Sequence, residues 1–184
     1  MELVKKEPII FIVSGKANSG KDTSCELINS YIKRKGLKTI NLQFSYYIKM
    51  YASKITNWDG SEDTKPRALL QRLGTEIIRE KIDHKFFIKR IIGDIKVYSY
   101  YFDVITVSDA RLPDEIEDIY NEFENVVRIN IKRPDFINKL DEQEKIHHTE
   151  KALDDYDKFD YFIMNDGSVD ELNSKIINII DEVI

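Results

Sequence analysis

The chain of 184 residues carries 28 Lys or Arg and 33 Asp or Glu residues, so its formal net charge is -5 at neutral pH. This length fits one domain with a sizeable core, and we expect a single domain over residues 1–184. The acidic balance and the absence of a long basic run argue against a nucleic acid polymer as partner. A small phosphorylated ligand, by contrast, needs only a local cluster of cations.

Cysteine content and the first residues indicate the compartment. Cys25 is the one cysteine in the sequence, so neither an internal disulfide nor a zinc site is expected, and we interpret it as a small apolar residue in a helix. The apolar run from Ile9 to Val13 is too short for a signal peptide or a membrane span. We therefore expect a cytoplasmic protein, or one in the host cytoplasm if its source is viral, with no membrane partner.

Five short apolar runs predict β-strands, with helical patterns between them. The runs are 9–14, 38–44, 103–109, 125–131 and 160–166. Because they are apolar throughout rather than alternately, they fit parallel strands that are covered on both faces. The pattern predicts an α/β fold, with three layers (α/β/α) around a five-stranded parallel sheet.

The stretch "SGKANSGKDT" directly follows the first predicted strand, and a helix is predicted from about Lys21 to Lys35. Gly15 and Gly20 bracket four residues, which lets backbone N–H groups surround phosphates, and Lys21 can reach the β- and γ-phosphates of a nucleoside triphosphate. The predicted ATP-binding residues in this loop are Gly15, Lys16, Ala17, Asn18, Ser19, Gly20, Lys21, Asp22 and Thr23.

Asp22 occupies the position at which this motif usually has a serine or threonine hydroxyl for Mg²⁺. A carboxylate can serve the metal directly or through water, because Mg²⁺ prefers oxygen ligands and keeps several waters. Asp22 also suits a helix start, where the helix dipole favours a negative charge. Both roles stay open.

The second and third predicted strands are separated by a mostly helical stretch, which we interpret as an acceptor-binding insert over about 43–98. Arg72 and Arg79 lie seven residues apart, so they share one side of an α-helix with Gln71 and Thr75. Two guanidinium groups on one face can grip an acceptor phosphate. The alternative is a solvated face on which these arginines pair with glutamates of the same helix.

Charged residues also follow the third and fourth predicted strands. Asp109 and Arg111 lie at the carboxyl end of a strand, where open α/β sheets bind ligands. Asp109 can hold Mg²⁺ through water or order the acceptor, and Arg111 can clamp a phosphate, unless the two form a structural contact instead. We interpret a polar segment, about 133–150, as a lid, and Lys132 and Arg133 at its start are the predicted cations that move onto the triphosphate when it closes.

Two further features lie near the end of the chain. The pair His147 and His148 lacks further ligands at metal spacing, so we do not interpret it as a metal site. Asn165, Asp166 and Gly167 follow the fifth predicted strand and are predicted to form a turn beside adenine. The alternative is a plain turn and helix cap.

These segments resemble the phage-type deoxynucleoside monophosphate kinases. That family's phosphate loop has aspartate in place of serine or threonine, "LLQRLGTE" (69–76) resembles its Leu-Gln-x-x-Gly-Thr-Glu helix, and "SDARLPDE" (108–115) resembles its Ser-Asp-x-Arg-x-x-x-Glu segment. The similarity continues, in order, over nearly the whole chain. The loop and the Asp-x-Arg segment are also similar to animal phosphomevalonate kinases, but the "LLQRLGTE" helix fits the nucleotide family better.

The resemblance implies a phosphate-loop kinase that uses ATP and Mg²⁺ to phosphorylate a (deoxy)nucleoside 5′-monophosphate. The implied catalytic residues are Lys21, Asp109, Arg111 and Arg133. The implied acceptor-binding residues are Lys49, Arg67, Gln71, Arg72, Thr75, Arg79 and Arg111. The implied metal ligands are Asp22 and Asp109.

Two other functions are alternatives. One is a kinase of another small phosphorylated acceptor, such as phosphomevalonate, and the other is a non-catalytic nucleotide-binding switch. The sequence contains neither the Asp-x-x-Gly nor the Asn-Lys-x-Asp pattern of a GTPase, which argues against the switch. Tyr46 and Tyr47 stand where the family usually has small residues, so the base and sugar preference stays open, as does homodimer formation.

Overall fold

The computed structural model describes residues 3–134 and 152–184, in which strands and helices alternate along the chain. The strands are β1 (Ile9–Ser14), β2 (Thr39–Leu42), β3 (Val104–Ala110), β4 (Val126–Lys132) and β5 (Tyr161–Met164). The helices are α1 (Lys21–Arg34), α2 (Phe44–Thr56), α3 (Arg67–Arg72), α4 (Phe86–Tyr98), α5 (Pro113–Glu122) and α6 (Val169–Val183), and α3 continues into a π-helix, the π segment (Leu73–Ile82). The five predicted strands are thus confirmed to within a few residues at each end.

The sheet has the strand order β2-β3-β1-β4-β5, and every neighbouring pair is parallel. β1 is central, and its residues from Ile10 to Val13 are fully buried. Because parallel strands end at one edge of a sheet, Ser14, Ala110 and Asn130 lie in register at the carboxyl edge. The predicted five-stranded parallel sheet is therefore confirmed.

Helices cover both faces of the sheet, as the continuous apolar runs predict. Phe11 and Val13 of β1 pack in one cluster with buried residues of α1 and α6, including Cys25 and Ile176. Ile10 and Ile12 point the other way, into a second cluster with residues from α2, α4 and α5 and from the π segment. The alternation along β1 divides the core into two halves, which gives the three-layer α/β/α arrangement.

Two sequence predictions fall mostly or wholly on residues that the structure does not describe. The predicted lid, about 133–150, lies outside the described residues except for Arg133 and Pro134, and His147 and His148 also lie outside them.

Among the helices of residues 3–134 and 152–184, none has the length and apolar character that a membrane span requires.

A buried arginine fastens β4 to the start of β5. The guanidinium of Arg128 donates two hydrogen bonds to the Asp160 carboxylate, at 3.1 and 2.8 Å, and its backbone N–H donates a third at 2.8 Å. The guanidinium also lies over the Tyr120 ring, 3.8 Å from its centroid. Burial raises the pKa of Asp160, but the hydrogen bonds from Arg128 outweigh burial, so the net pKa is lowered.

We expect Asp160→Asn to lower the free energy of unfolding by about 1–2 kcal/mol at pH 7, because the amide loses the charge that Arg128 pairs with. A lowered pKa means that the stabilisation is present above the ordinary value of about 3.9 and is lost as the pH falls through the lowered value. Urea unfolding from pH 7 down to about pH 3 should therefore show the wild type and the variant converging. Asp63→Asn, at an exposed loop carboxyl, is the matched control. A difference that stays constant down to pH 3 would contradict a role for the ionised carboxylate.

Candidate active site

The loop between β1 and α1 needs glycine at two places. Gly15 has a φ of +153° and Gly20 a φ of +100°, which are unfavourable for residues with a Cβ. A Cβ at Gly15 would lie 2.5 Å from the carbonyl oxygen of Ile131, and one at Gly20 would collide with the Asn165 side chain. Gly20 precedes Lys21, the first residue of α1. The local backbone therefore has the geometry that the sequence motif predicts for a phosphate-binding loop.

Two cavities flank this loop. The first, here called the insert cavity, has a volume of about 840 Å³ and opens between the loop, the start of α2, and the α3 helix with its π segment. The second, the edge cavity, has a volume of about 520 Å³ and lies between the loop and the ends of β4 and β5. Ala17, Asn18 and Arg111 line both cavities, so these residues mark the place where the two meet.

Most of the predicted catalytic, acceptor-binding and metal-binding residues line the insert cavity. Those that line it are Lys21, Asp22, Lys49, Arg67, Gln71, Thr75, Arg79, Asp109 and Arg111. Its charged lining comprises six cationic side chains (Lys21, Lys49, Lys65, Arg67, Arg79 and Arg111) and four carboxyl groups (Asp22, Glu62, Asp109 and Glu115). The excess of cations suits an anionic ligand.

The first half of the loop lines the edge cavity. Gly15, Lys16, Ala17, Asn18, Ser19 and Arg133 line it. The Lys16 ammonium pairs with Asp154 at 2.8 Å, and the Lys132 ammonium lies 4.7 Å from the centroid of the Phe162 ring. Aromatic and cationic side chains thus line the edge cavity, beside the loop and near the ends of β4 and β5.

Lys21 occupies the boundary between core and cavity. It is 6% exposed, and its Nζ donates to the carbonyl oxygen of Lys16 at 3.3 Å. The ammonium is therefore folded back over the loop. Asp22, the next residue, is exposed, and Thr23 is half-buried within the first turn of α1.

The Asp109 carboxylate holds the start of α2. Its two oxygens accept hydrogen bonds from the backbone N–H groups of Phe44 and Ser45, at 2.7 and 2.9 Å. A carboxylate at a helix N-terminus is favoured by the helix dipole and by the unpaired N–H groups there. Asp109 therefore connects the end of β3 to the insert, an interaction that the sequence analysis missed.

Arg72 and Arg79 do not share an environment, contrary to the expectation of one helix face. That expectation used the 100° turn per residue of an α-helix, but residues 73–82 form a π-helix with wider turns. The Arg72 side chain is 71% exposed and pairs with Glu76 at 3.3 Å. The Arg79 side chain is 13% exposed and pairs with Glu115 at 2.5 Å. Of these two arginines, Arg79 lines the insert cavity.

Glu115 is the most deeply buried carboxyl group of the insert cavity. Its side chain is 2% exposed, and Oε2 accepts from the backbone N–H groups of Arg111 and Leu112, at 2.7 and 3.1 Å. Burial raises the pKa of the Glu115 carboxyl, while Arg79 and the Arg111 amide favour its ionised form. The sequence motif contained this residue, but spacing alone did not distinguish it from an ordinary helix-start glutamate.

The turn after β5 supports the loop. Asn165 Nδ2 donates to the carbonyl oxygen of Ser19 at 2.8 Å. Asp166 pairs with Lys175 at 3.0 Å, which lowers the pKa of Asp166, and Gly167 precedes the capping box of α6. Within the described residues, these three do not line either cavity. The turn and helix cap are therefore present, whereas the contact with adenine stays a prediction.

Some residues that line the insert cavity were not predicted from the sequence. Gln43 directly follows β2 at the carboxyl edge of the sheet, and its amide donates to the Ser108 hydroxyl at 3.0 Å. Its position after a strand could have indicated it. Glu62 and Lys65 come from the loop before α3 and pair with each other at 2.9 Å. Such a loop has no periodicity from which its direction could be predicted.

Asp22 and Asp109 both line the insert cavity beside Lys21. Mg²⁺ at phosphoryl-transfer sites is held by one or two carboxylates together with substrate phosphates and waters. The described part of the chain contains no group of three or more side chains that would hold a metal ion by themselves. The donor set fits a Mg²⁺ ion that is shared with a phosphate ligand.

Solved structures that are similar to this chain include kinases. The APS kinase of Mycobacterium tuberculosis, in complex with AMPPNP and APS, has 13% sequence identity and a TM-score of 0.56, with 96% of this chain and 99% of that chain covered. Shikimate kinase from Aquifex aeolicus has 14% identity and a TM-score of 0.50, with 95% and 97% covered. A sugar kinase from Janibacter sp. has 10% identity and a TM-score of 0.55, with 95% of each chain covered. At these identities the likeness shows a shared α/β fold.

Comparison with the curated proteins gave no match. The family model described as deoxynucleotide monophosphate kinase matches residues 29–176, which is most of the chain. Together with the fold, this match shows that the chain belongs to the deoxynucleotide monophosphate kinase family.

Proposed function

We propose that the protein transfers the γ-phosphate of ATP to a (deoxy)nucleoside 5′-monophosphate, which yields ADP and the nucleoside diphosphate. The observation that carries this proposal is the meeting of two cavities at the phosphate-binding loop, with Arg111 lining both. A phosphoryl transfer between two nucleotides requires a donor site and an acceptor site that share one cationic junction.

The loop and Lys21 are proposed to hold the triphosphate. The backbone N–H groups of the loop and the first turn of α1 favour negative charge. The Lys21 ammonium, which contacts the Lys16 carbonyl oxygen at 3.3 Å, can exchange this neutral partner for a phosphate oxygen. Lys16 and Arg133, on the edge cavity, supply further positive charge on the donor side.

The insert cavity is proposed to hold the acceptor. Arg79 reaches it from the π segment and Arg111 from the end of β3, so a phosphate between them would be held from two sides. A guanidinium group donates two parallel hydrogen bonds to a phosphate, which fixes both position and orientation. Lys49, Arg67, Gln71 and Thr75 line the same cavity and are proposed to complete acceptor binding.

Asp22 and Asp109 are proposed to hold Mg²⁺ directly or through water. The ion, when bound, neutralises negative charge on the phosphate oxygens. No general base is required, because the acceptor phosphate is already an anion at neutral pH. The remaining task of the chain is to orient the two nucleotides and to counter the charge that moves between them.

The first test is ADP release from ATP and Mg²⁺ with dAMP, dCMP, dGMP, dTMP and the ribonucleoside monophosphates offered singly. We expect release that depends on one or a few acceptors. Lys21→Ala should lower kcat about 100-fold or more, because it removes a cation from the moving phosphoryl group. Lys33→Ala, at an exposed position on the same helix, is the matched control.

The outcomes separate the alternative functions. If ATP binds but no nucleoside monophosphate is phosphorylated, the proposed function is wrong. Phosphomevalonate and related phosphorylated acceptors then form the next panel. If no acceptor in either panel causes ADP release, a non-catalytic nucleotide-binding role is favoured instead.

Arg79 and Arg72 should contribute unequally. We expect Arg79→Ala to lower kcat/KM for the acceptor about 10- to 100-fold, because it removes a charged hydrogen-bond donor from the insert cavity. Arg72→Ala should lower it less than about fivefold, since an exposed ion pair such as Arg72–Glu76 is worth at most about 1 kcal/mol. Steady-state kinetics with the acceptor varied at saturating ATP measure both. Equal losses would mean that Arg72 also contacts the acceptor.

Asp22 and Asp109 should also differ. Asp22→Asn should raise the Mg²⁺ concentration for half-maximal activity about tenfold, because it weakens a metal ligand or a partner of a bound water. Asp109→Asn should do the same and, in addition, lower the free energy of unfolding by about 1 kcal/mol, because Asp109 holds the first N–H groups of α2. Mg²⁺ titrations and urea unfolding measure the two effects. An unchanged Mg²⁺ requirement in both variants would contradict the metal role.

A further inference from the structure

Glu115 uses its two carboxylate oxygens for two different kinds of partner. Oε2 accepts from the backbone N–H groups of Arg111 and Leu112, at 2.7 and 3.1 Å. Oε1 accepts from the Arg79 guanidinium at 2.5 Å. One buried carboxylate therefore joins the end of β3 to the π segment of the insert.

The contact with the backbone is an ordinary helix-start interaction. Glu115 is the third residue of α5, which begins at Pro113, and a glutamate or glutamine there accepts from the N–H groups before the helix. One oxygen is enough for that purpose. The second oxygen is left for Arg79, which lies 36 residues earlier in the chain.

Arg79 is fixed on several sides. Besides the Glu115 contact, its Nη1 lies 3.5 Å from the carbonyl oxygen of Gly74, and its guanidinium lies 5.0 Å from the centroid of the Phe87 ring. The side chain is 13% exposed and lines the insert cavity. A guanidinium that is held in this way loses little conformational entropy when an anion binds to it.

We propose that Glu115 is a positioning residue that orients Arg79 for binding the acceptor phosphate, an inference that rests on the proposed function. The same carboxylate fixes the backbone of Arg111, so Arg79 and Arg111 are held in a defined position relative to each other. Glu115 acts through these arginines and does not itself contact the substrate.

Glu115→Gln separates this role from the helix start. Glutamine keeps one acceptor oxygen for the backbone N–H groups of Arg111 and Leu112, but its amide nitrogen cannot accept from Arg79. We expect the KM for the acceptor to rise about tenfold or more, because Arg79 loses the charged partner that orients it. The KM for ATP should change less than about twofold, since the edge cavity and the loop are untouched.

A double-mutant cycle tests whether Glu115 acts through Arg79. The four proteins are the wild type, Glu115→Gln, Arg79→Ala and the double variant, and the probes are dAMP, dCMP, dGMP and dTMP. If Glu115 acts through Arg79, adding Glu115→Gln to Arg79→Ala causes no further loss in kcat/KM for the acceptor. Glu122→Gln, on the same helix and in an exposed ion pair with Lys96, is the matched control and should leave all constants unchanged.

Each outcome supports or overturns the inference. An unchanged acceptor KM in Glu115→Gln, an equal rise in the KM for ATP, or a further loss in the Arg79→Ala background would overturn it while the wild type stays active. A wild type that phosphorylates no nucleoside monophosphate would overturn the proposed function, and the inference with it. If Glu115→Gln shows no cooperative thermal unfolding, Glu115→Asp keeps the charge but withdraws it by one methylene. For the inference to stand, Glu115→Asp must then raise the KM for the acceptor. Added to Arg79→Ala, the same substitution must cause no further loss in kcat/KM.

Discussion

Parallel pairing of the buried strand β1 with both β3 and β4 is the constraint on which the site depends. Because all three strands run the same way, their carboxyl ends meet at one edge of the sheet. Ser14 leads into the phosphate-binding loop, Ala110 lies between Asp109 and Arg111, and Asn130 precedes the cations at the end of β4. Residues from distant parts of the sequence thus reach one site without any long loop having to fold onto another.

Carboxylates then fix the elements that this edge does not hold directly. Asp109 holds the start of α2 through two backbone N–H groups, and Glu115 holds both the Arg111 backbone and the Arg79 side chain. Both carboxylates lie at helix starts, where the dipole favours a negative charge. The insert cavity therefore contains negative groups for structural reasons, and the cations around it must outnumber them for an anion to bind.

The sequence predicted the fold well because the strands of a fully covered parallel sheet are apolar throughout. The loop was predictable because its sequence follows from its backbone geometry. Gly15 and Gly20 have positive φ angles, and a Cβ at either position would collide with neighbouring atoms. The assignment of Arg72 and Arg79 to one helix face was wrong, because a 3.6-residue period was assumed where the chain forms a π-helix. Glu115 was missed as a site residue because its contact with Arg79 is a tertiary one, about which a periodic pattern contains no information. Gln43 was missed although its position directly after a strand could have indicated it.

The aspartate in the phosphate-binding loop fits this charge balance. Asp22 lines the insert cavity and not the edge cavity, so its charge lies on the side of the loop where we propose that the acceptor binds. In the proposed reaction, Asp22, Asp109, the acceptor phosphate and the γ-phosphate would all converge there, and their repulsion would oppose binding. Cations close to these groups would counter that repulsion, so Arg79, Arg111 and Lys21 would act there together with a divalent cation. A hydroxyl at position 22 would add no negative charge, so in the proposed reaction the carboxylate would make acceptor binding depend on the ion that the transfer itself requires.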